Sequence, residues 1–167
     1  MEKFQTKLSL ILAVIGIATV ASLWPVPLEE VLAQDKSQGE ANKAIVTAFY
    51  EEVYDNRNAS AIDKYIANNF SSDTGADKQK FKEIIDATYS SFPDATRILD
   101  DIIAEGDMVA IFNSWNATFS GEDFLGTPAN GNQFTTATAD LFRISDGQIV
   151  ENSQIGDYSN FTKAVYG

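Results

Sequence analysis

The hydrophobic period of this 167-residue chain switches near Thr96, and that switch limits its fold more than any other feature. Before Thr96 the apolar residues recur at helical spacing; after it they recur at every second position. Helices followed by a run of sequence-adjacent strands predict an α+β domain, with an antiparallel meander packed against the helices.

In the helical half three segments open with Ser/Thr-x-x-Asp/Glu, the pattern that starts a helix by supplying side-chain partners to its free N–H groups. They are Ser37-x-x-Glu40, Ser60-x-x-Asp63 and Thr74-x-x-Asp77. After the first, Ile45, Val46, Phe49, Tyr50, Val53 and Tyr54 form one apolar stripe. After the second, Ile62, Tyr65 and Ile66 mark a short helix ending near Asn68-Asn69. After the third, Phe81, Ile84, Ile85, Thr88 and Tyr89 mark a helix that Pro93 stops. The strand half reads as Arg97–Ala104, Met108–Phe119, Gln133–Ile144 and Gln148–Ile155, with turns at Glu105-Gly106-Asp107 and Ser145-Asp146-Gly147, and Tyr158–Tyr166 as a closing helix. Three helices on a curved four-stranded antiparallel sheet, with a short C-terminal helix, form a cone with an apolar interior.

Composition removes several chemistries. The chain has no His and no Cys, and 24 Asp+Glu against 12 Lys+Arg give a net charge of −12. A His/Cys zinc site, a Cys nucleophile and a Ser-His-Asp triad are therefore excluded. Acid–base work falls to Asp, Glu, Tyr or Lys. The acidic balance argues against nucleic acid and against anionic membrane surfaces as partners. No Asp-x-Asp-x-Asp-Gly calcium loop is present, so no metal and no cofactor are expected.

The N-terminus predicts export. Lys3 and Lys7 precede the uncharged run Leu8–Trp24, and Val31 and Ala33 suit a cleavage site that leaves Gln34 first. Residues 1–33 are read as an export signal and residues 34–167 as the single domain, periplasmic or secreted. An uncleaved membrane anchor over residues 8–24 is the alternative, and the only membrane contact expected.

Strand parity selects the candidate site. On Gln133–Ile144 one face carries Phe134, Thr136, Thr138, Asp140, Phe142 and Ile144; on the next strand Ile149, Glu151, Ser153 and Ile155 share a face. Asp140 and Glu151 are thus carboxylates among apolar neighbours and candidates for an acid or base, the alternative being a pair with Arg143, Arg97 or a backbone amide at a strand end. Asp157 is a third candidate, or the N-cap of the closing helix. Tyr50, Tyr65, Asn113, Trp115, Phe119 and Phe134 are candidate ligand-binding residues, Tyr50 or Asn113 polarising a carbonyl. Neither face of the strand Gln133–Ile144 is cleanly polar, which predicts a cavity on one side of the sheet and a homodimer on the other.

The order of motifs resembles a known family. Phe92-Pro93-Asp94, Glu105-Gly106-Asp107-Met108-Val109, Gly121 with Phe124-Leu125-Gly126-Thr127-Pro128, Gly131, Asp140-Leu141-Phe142-Arg143-Ile144, Asp146-Gly147-Gln148-Ile149-Val150-Glu151 and Asp157 are similar, in sequence and order, to the SnoaL-like polyketide cyclases of the nuclear transport factor 2-like (cystatin-like cone) superfamily. Ala41–Tyr54 fits that family's opening helix. The resemblance implies a deep apolar cavity for a small hydrophobic molecule, polycyclic in the cyclases. It also implies a carboxylate acid–base in a cofactor-free cyclase or isomerase. Non-catalytic ligand-binding and protein-interaction modules share the fold and form the alternative. The chain departs from the cyclase pattern at Phe112-Asn113-Ser114, where Arg-Trp-Thr is usual, at Phe119 in place of His, and at Asn152-Ser153-Gln154 in place of His-Trp and an acid.

Overall fold

The computed structural model describes residues 27–167, and the apolar run Leu8–Trp24 lies outside them. Asp35–Gly167 forms one unit, which holds the whole candidate site. The elements are α1 (Leu28–Phe49), a π-helical turn (Tyr50–Asp55), a 3-10 turn (Ala59–Ala61), α2 (Ile62–Tyr65), β1 (Ile66–Ser72), α3 (Lys78–Ser91), β2 (Thr96–Glu105), β3 (Met108–Thr118), β4 (Gln133–Ser145), β5 (Gln148–Gly156) and α4 (Ser159–Tyr166). The predicted cleavage point after Ala33 falls inside α1. Among the described residues no helix is long and apolar enough to cross a membrane.

The helices form where the apolar stripes predict them, but their starts differ. The Ser37 signal lies inside α1, which begins with Pro27 O accepting from Glu30 N and Val31 N and carries Glu29 and Glu30 in its first turn, where the helix dipole favours acids. At the second signal the Ser60 hydroxyl bonds the Asn58 side chain and α2 has no side-chain cap. At the third the cap is Asp77, whose Oδ1 accepts from Lys80 N at 2.8 Å.

The sheet has five strands in the order β1-β5-β4-β3-β2. The four predicted strands pair antiparallel as the meander required. The fifth strand, β1, replaces the expected helix end and loop: Ile66–Ser72 pairs parallel with β5. Asn68 and Asn69 are poor strand formers and lie in the irregular stretch between the pairs Ile66↔Ile149 and Ser71↔Glu151, while the ends of β1 pair along the otherwise open edge of β5. Ile66, Ala67 and Phe70 fix the strand by burial.

β3 and β4 pair without interruption from Met108↔Arg143 to Thr118↔Gln133. Two irregularities flank this spine. On β2, Asp100 is extra between the pairs Leu99↔Asn113 and Asp101↔Phe112. On β5, Val150 is extra between Ile144↔Ile149 and Arg143↔Glu151. Each is a β-bulge, which reverses the facing of the residues beyond it.

The concave face packs two apolar clusters. One joins Val46, Phe49, Tyr50, Tyr54 and Phe81 to Val109, Ile111, Phe142 and Ile149. The other joins Phe92, Phe119 and Phe134 to Ala164 and Val165. The candidate site lies between them. Gly121 holds the second cluster closed: a Cβ there would meet Ser90 O at 1.9 Å. Its N–H donates to Ser91 O and that of Glu122 to Ser90 O. This docks the following loop on the end of α3 and brings Phe124 within 5.3 Å of the Phe92 ring centroid.

Candidate functional site

A cavity of about 230 Å³ separates the two clusters. Phe81, Ile85 and Phe142 wall it from one side, Phe92, Trp115, Phe124 and Phe161 from the other. Its polar lining includes Asp140, Arg97, Thr136, Thr138, Asn152 and Gln154, with Ser72, Asp73, Thr74 and Tyr158 also lining it. This is the composition of a small-molecule site: an apolar lining with a few placed polar groups.

Asp140 is 3% exposed. Its Oδ2 accepts from Tyr50 Oη and from Asn113 Nδ2, both at 2.7 Å, and its Oδ1 accepts from Gln154 Nε2 at 2.5 Å. All three bonds are of the kind a carboxylate accepts. The unbroken β3–β4 register places Asn113 beside Asp140 on the concave face, and Asp140↔Gln154 is a direct cross-strand pair. Tyr50 arrives through the π-helical turn, which stacks it on Tyr54 with ring centroids 5.0 Å apart. Such turns recur at functional sites because they re-aim side chains out of the regular helical face.

Arg97 is the second charge at the cavity. Its guanidinium carbon lies 3.9 Å from the Tyr54 ring centroid, 4.8 Å from Tyr50 and 5.4 Å from Trp115. Nε and Nη1 are sealed from solvent and donate to no protein group. Burial works against its charge, but the fields of Tyr50, Tyr54, Asp140 and Tyr89 more than offset this and hold it protonated more firmly than a free guanidinium. Burial pushes the Tyr50 and Tyr54 hydroxyls well above their ordinary range despite Arg97. It also takes Tyr89 up to about 12, and Tyr158 to about 12 with help from Asp140 and Asp73.

The other predicted site residues fall elsewhere. Glu151 is a correction: the Val150 bulge turns it outward, where its Oε2 accepts from Arg143 Nε at 2.9 Å. Arg143 Nη1 also donates to Asp107 Oδ2 at 2.7 Å, so the three form an exposed network. Asp157 is exposed; its Oδ1 accepts from Ser159 N at 2.9 Å at the start of α4, and hydrogen bonding from the Ser159 side chain, then from its N–H, holds the carboxyl below the usual range. Tyr65 is buried in the first cluster and donates to Glu52 Oε1 at 2.5 Å, away from the cavity. Phe119 and Phe134 belong to the second cluster and do not line the cavity. Tyr50 and Asn113 each donate to Asp140 and do not line the cavity, so neither is placed to polarise a ligand carbonyl; Asn113 Oδ1 is buried without a partner. Trp115 lines the cavity. Sequence reasoning missed Arg97 and Gln154 as cavity groups; their parity is set by the two bulges and by cross-strand pairing to Trp115 and Asp140. Among the described residues no cluster of three or more acidic side chains is arranged to hold a metal.

A curved sheet covered by helices, enclosing an apolar cavity with a carboxylate in its wall, is the architecture of the nuclear transport factor 2-like cone fold. The sequence profile of the SnoaL-like polyketide cyclases matches residues 44–165, and the chain belongs to that family. Solved structures agree. A candidate polyketide cyclase from Acidithiobacillus ferrooxidans is 27% identical, with a TM-score of 0.62 over 74% of this chain and 94% of that one. A candidate SnoaL-like polyketide cyclase from Jannaschia is 17% identical, with a TM-score of 0.68 over 77% and 93%. IdmH, a candidate polyketide cyclase from Streptomyces antibioticus, is 24% identical, with a TM-score of 0.62 over 74% and 96%. No curated protein sequence matches the chain.

Proposed function

We propose that this SnoaL-like domain acts on a small hydrophobic molecule by acid–base catalysis at Asp140, as a cyclase or isomerase that uses its own side chains. The observation that carries this reading is the setting of Asp140. It is buried at the wall of an apolar cavity and oriented by three donors, and its Oδ1 carries one donor where the oxygen has room for two. A positioned carboxylate of this kind can take a proton from a carbon next to a carbonyl and return it elsewhere. The test is proton exchange: small apolar ketones are incubated with the protein in D2O and their α-protons followed by NMR. Exchange that depends on Asp140 supports the reading; exchange unchanged in Asp140→Asn overturns it.

The same three hydrogen bonds favour a second reading, a binding module in which Asp140 is only an anchor for Tyr50, Asn113 and Gln154. In that case ligands bind unchanged and Asp140→Asn alters affinity without any turnover to lose.

Export is part of the proposal. It is supported by Lys3, Lys7, the Leu8–Trp24 run and Ala33, and is checked by the N-terminal mass of the protein recovered from the medium or periplasm. A homodimer through the convex face of the sheet is supported by exposed Ile103, Phe112 and Ile155, and light scattering reads it directly.

A further inference from the structure

We propose that Arg97 receives the carbonyl oxygen of the molecule on which Asp140 acts, and that this molecule is a compact carbon acid, apolar apart from one or two ketone or ester groups. The inference rests on the acid–base reading of Asp140.

Arg97 departs from the usual state of a buried cation. A guanidinium inside a protein normally spends its N–H groups on a carboxylate or on carbonyls, because each buried donor without a partner costs about 1–3 kcal/mol or more. Here no protein group accepts from Nε or Nη1. The exposed arginine of the same sheet, Arg143, shows the ordinary arrangement with Asp107 and Glu151. What holds Arg97 instead is aromatic. Tyr54, Tyr50 and Trp115 meet it through their rings at 3.9–5.4 Å from centroid to guanidinium carbon. Cation–π contact, together with hydrogen bonding to the Tyr54 hydroxyl, fixes the position of the group while leaving Nε and Nη1 without an acceptor. The groups that set its electrostatics are Tyr50, Tyr54, Tyr89 and Asp140, and Asp140 alone among them is a carboxylate. Both Arg97 and Asp140 belong to the cavity lining.

This pairing suits one kind of step. A C–H bond next to a carbonyl breaks, its proton goes to Asp140 Oδ1, and the electron pair moves onto the carbonyl oxygen to form an enolate. Negative charge thereby leaves Asp140 and appears on the substrate oxygen held by Arg97, so the net charge of the occupied cavity is unchanged. Stabilising charge where it develops is the main electrostatic device of such sites. Return of the proton to another carbon completes an isomerisation. Attack of the enolate carbon on a second carbonyl of the same molecule, with the proton delivered to the new alkoxide, completes a ring closure. Neither route needs an oxidant or a reductant. The cavity, at about 230 Å³, is smaller than the roughly 300–1,000 Å³ usual for drug-sized ligands. That favours a compact substrate over the polycyclic one implied by the family resemblance.

The test uses 4-nitrophenol, whose phenolate absorbs in the visible and stands in for an enolate oxygen. It is titrated with the Asp140→Asn protein, in which the base is neutral as it would be after taking the proton. With Arg97 present the bound probe is expected as phenolate, its ionisation favoured at least tenfold over the free probe. In Asp140→Asn/Arg97→Gln that gain is lost, and in Asp140→Asn/Arg97→Lys, which keeps the charge but not the planar edge, it is partly restored. A four-ring phenol is expected to bind at least tenfold more weakly than 4-nitrophenol. The proposal is overturned if the phenolate gain survives Arg97→Gln, if no gain occurs with Arg97 in place, or if the four-ring phenol binds as well. Failure of the acid–base reading is separate: it shows as proton exchange insensitive to Asp140→Asn, whatever the phenolate result.

Discussion

Two bulges in one sheet act in opposite senses. In β2, the extra Asp100 shifts the register so that Arg97 pairs with Trp115 and turns toward the cavity; an uninterrupted hairpin would pair it with Asn116 on the convex face. In β5, the extra Val150 shifts Glu151 from the place beside Phe142 to the place beside Arg143, and out of the cavity. One inserted residue brings a cation in; another sends an anion out. The outcomes differ physically as well. Outside, Arg143 and Glu151 meet in water, where an ion pair is worth only about 0–1 kcal/mol. Inside, Arg97 lies among aromatic rings with Nε and Nη1 without an acceptor, beside a cavity also lined by a carboxylate held by neutral donors. The comparison shows that the charges that matter to this cavity are placed by bulges as much as by residue type.

Each side of the comparison can be broken. The largest effect is expected at Asp140: Asp140→Asn should lower proton-exchange activity by about 10²–10⁴, the usual contribution of a positioned base. Tyr50→Phe comes next. It removes a buried hydrogen bond to a charged group, worth about 1.5–3 kcal/mol, and denaturant unfolding should show that loss together with a fall in activity. Deleting Asp100 sharpens the β2 side: Arg97 should rotate to the convex face, which NMR contacts between its side chain and the Tyr54 ring would report by disappearing. The tyrosines around Arg97 give a pH signature. Tyr89 is raised from 10.0 to about 12 in the folded protein, so its contribution is present below about pH 10 and lost as pH rises through about 12. Melting temperatures across that range should fall more steeply for the parent protein than for Tyr89→Phe. The smallest effect belongs to β5: Glu151→Gln should change stability by less than about 1 kcal/mol and leave activity unaltered.

Most of the fold was legible because it depends on local chemistry. The period-two segments bounded β2 to β5 to within a residue or so, and the Asp146-Gly147 turn, with both residues at positive φ, closed its hairpin as the sequence demands. β1 was not legible. Its Asn68-Asn69 pair reads as a helix end, and only the distant edge of β5 makes it a strand. Within the site, Asp140 could be placed by parity because β3 and β4 pair without a slip. Glu151 and Arg97 could not, since neither Val150 nor Asp100 carries a residue type that announces a bulge. Tyr65, Phe119 and Phe134 were aromatic residues correctly read as inward, but inward here means one of two cores rather than the space between them.

The central claim is that the chemistry of this domain resides at the carboxylate kept inside, Asp140, and not at the one turned out, Glu151. Its most direct measurement is α-proton exchange of one small ketone by three proteins side by side: the parent, Asp140→Asn and Glu151→Gln. The account predicts exchange by the parent and by Glu151→Gln at equal rates and none above background with Asp140→Asn. Exchange that survives Asp140→Asn, or that disappears with Glu151→Gln, would contradict it.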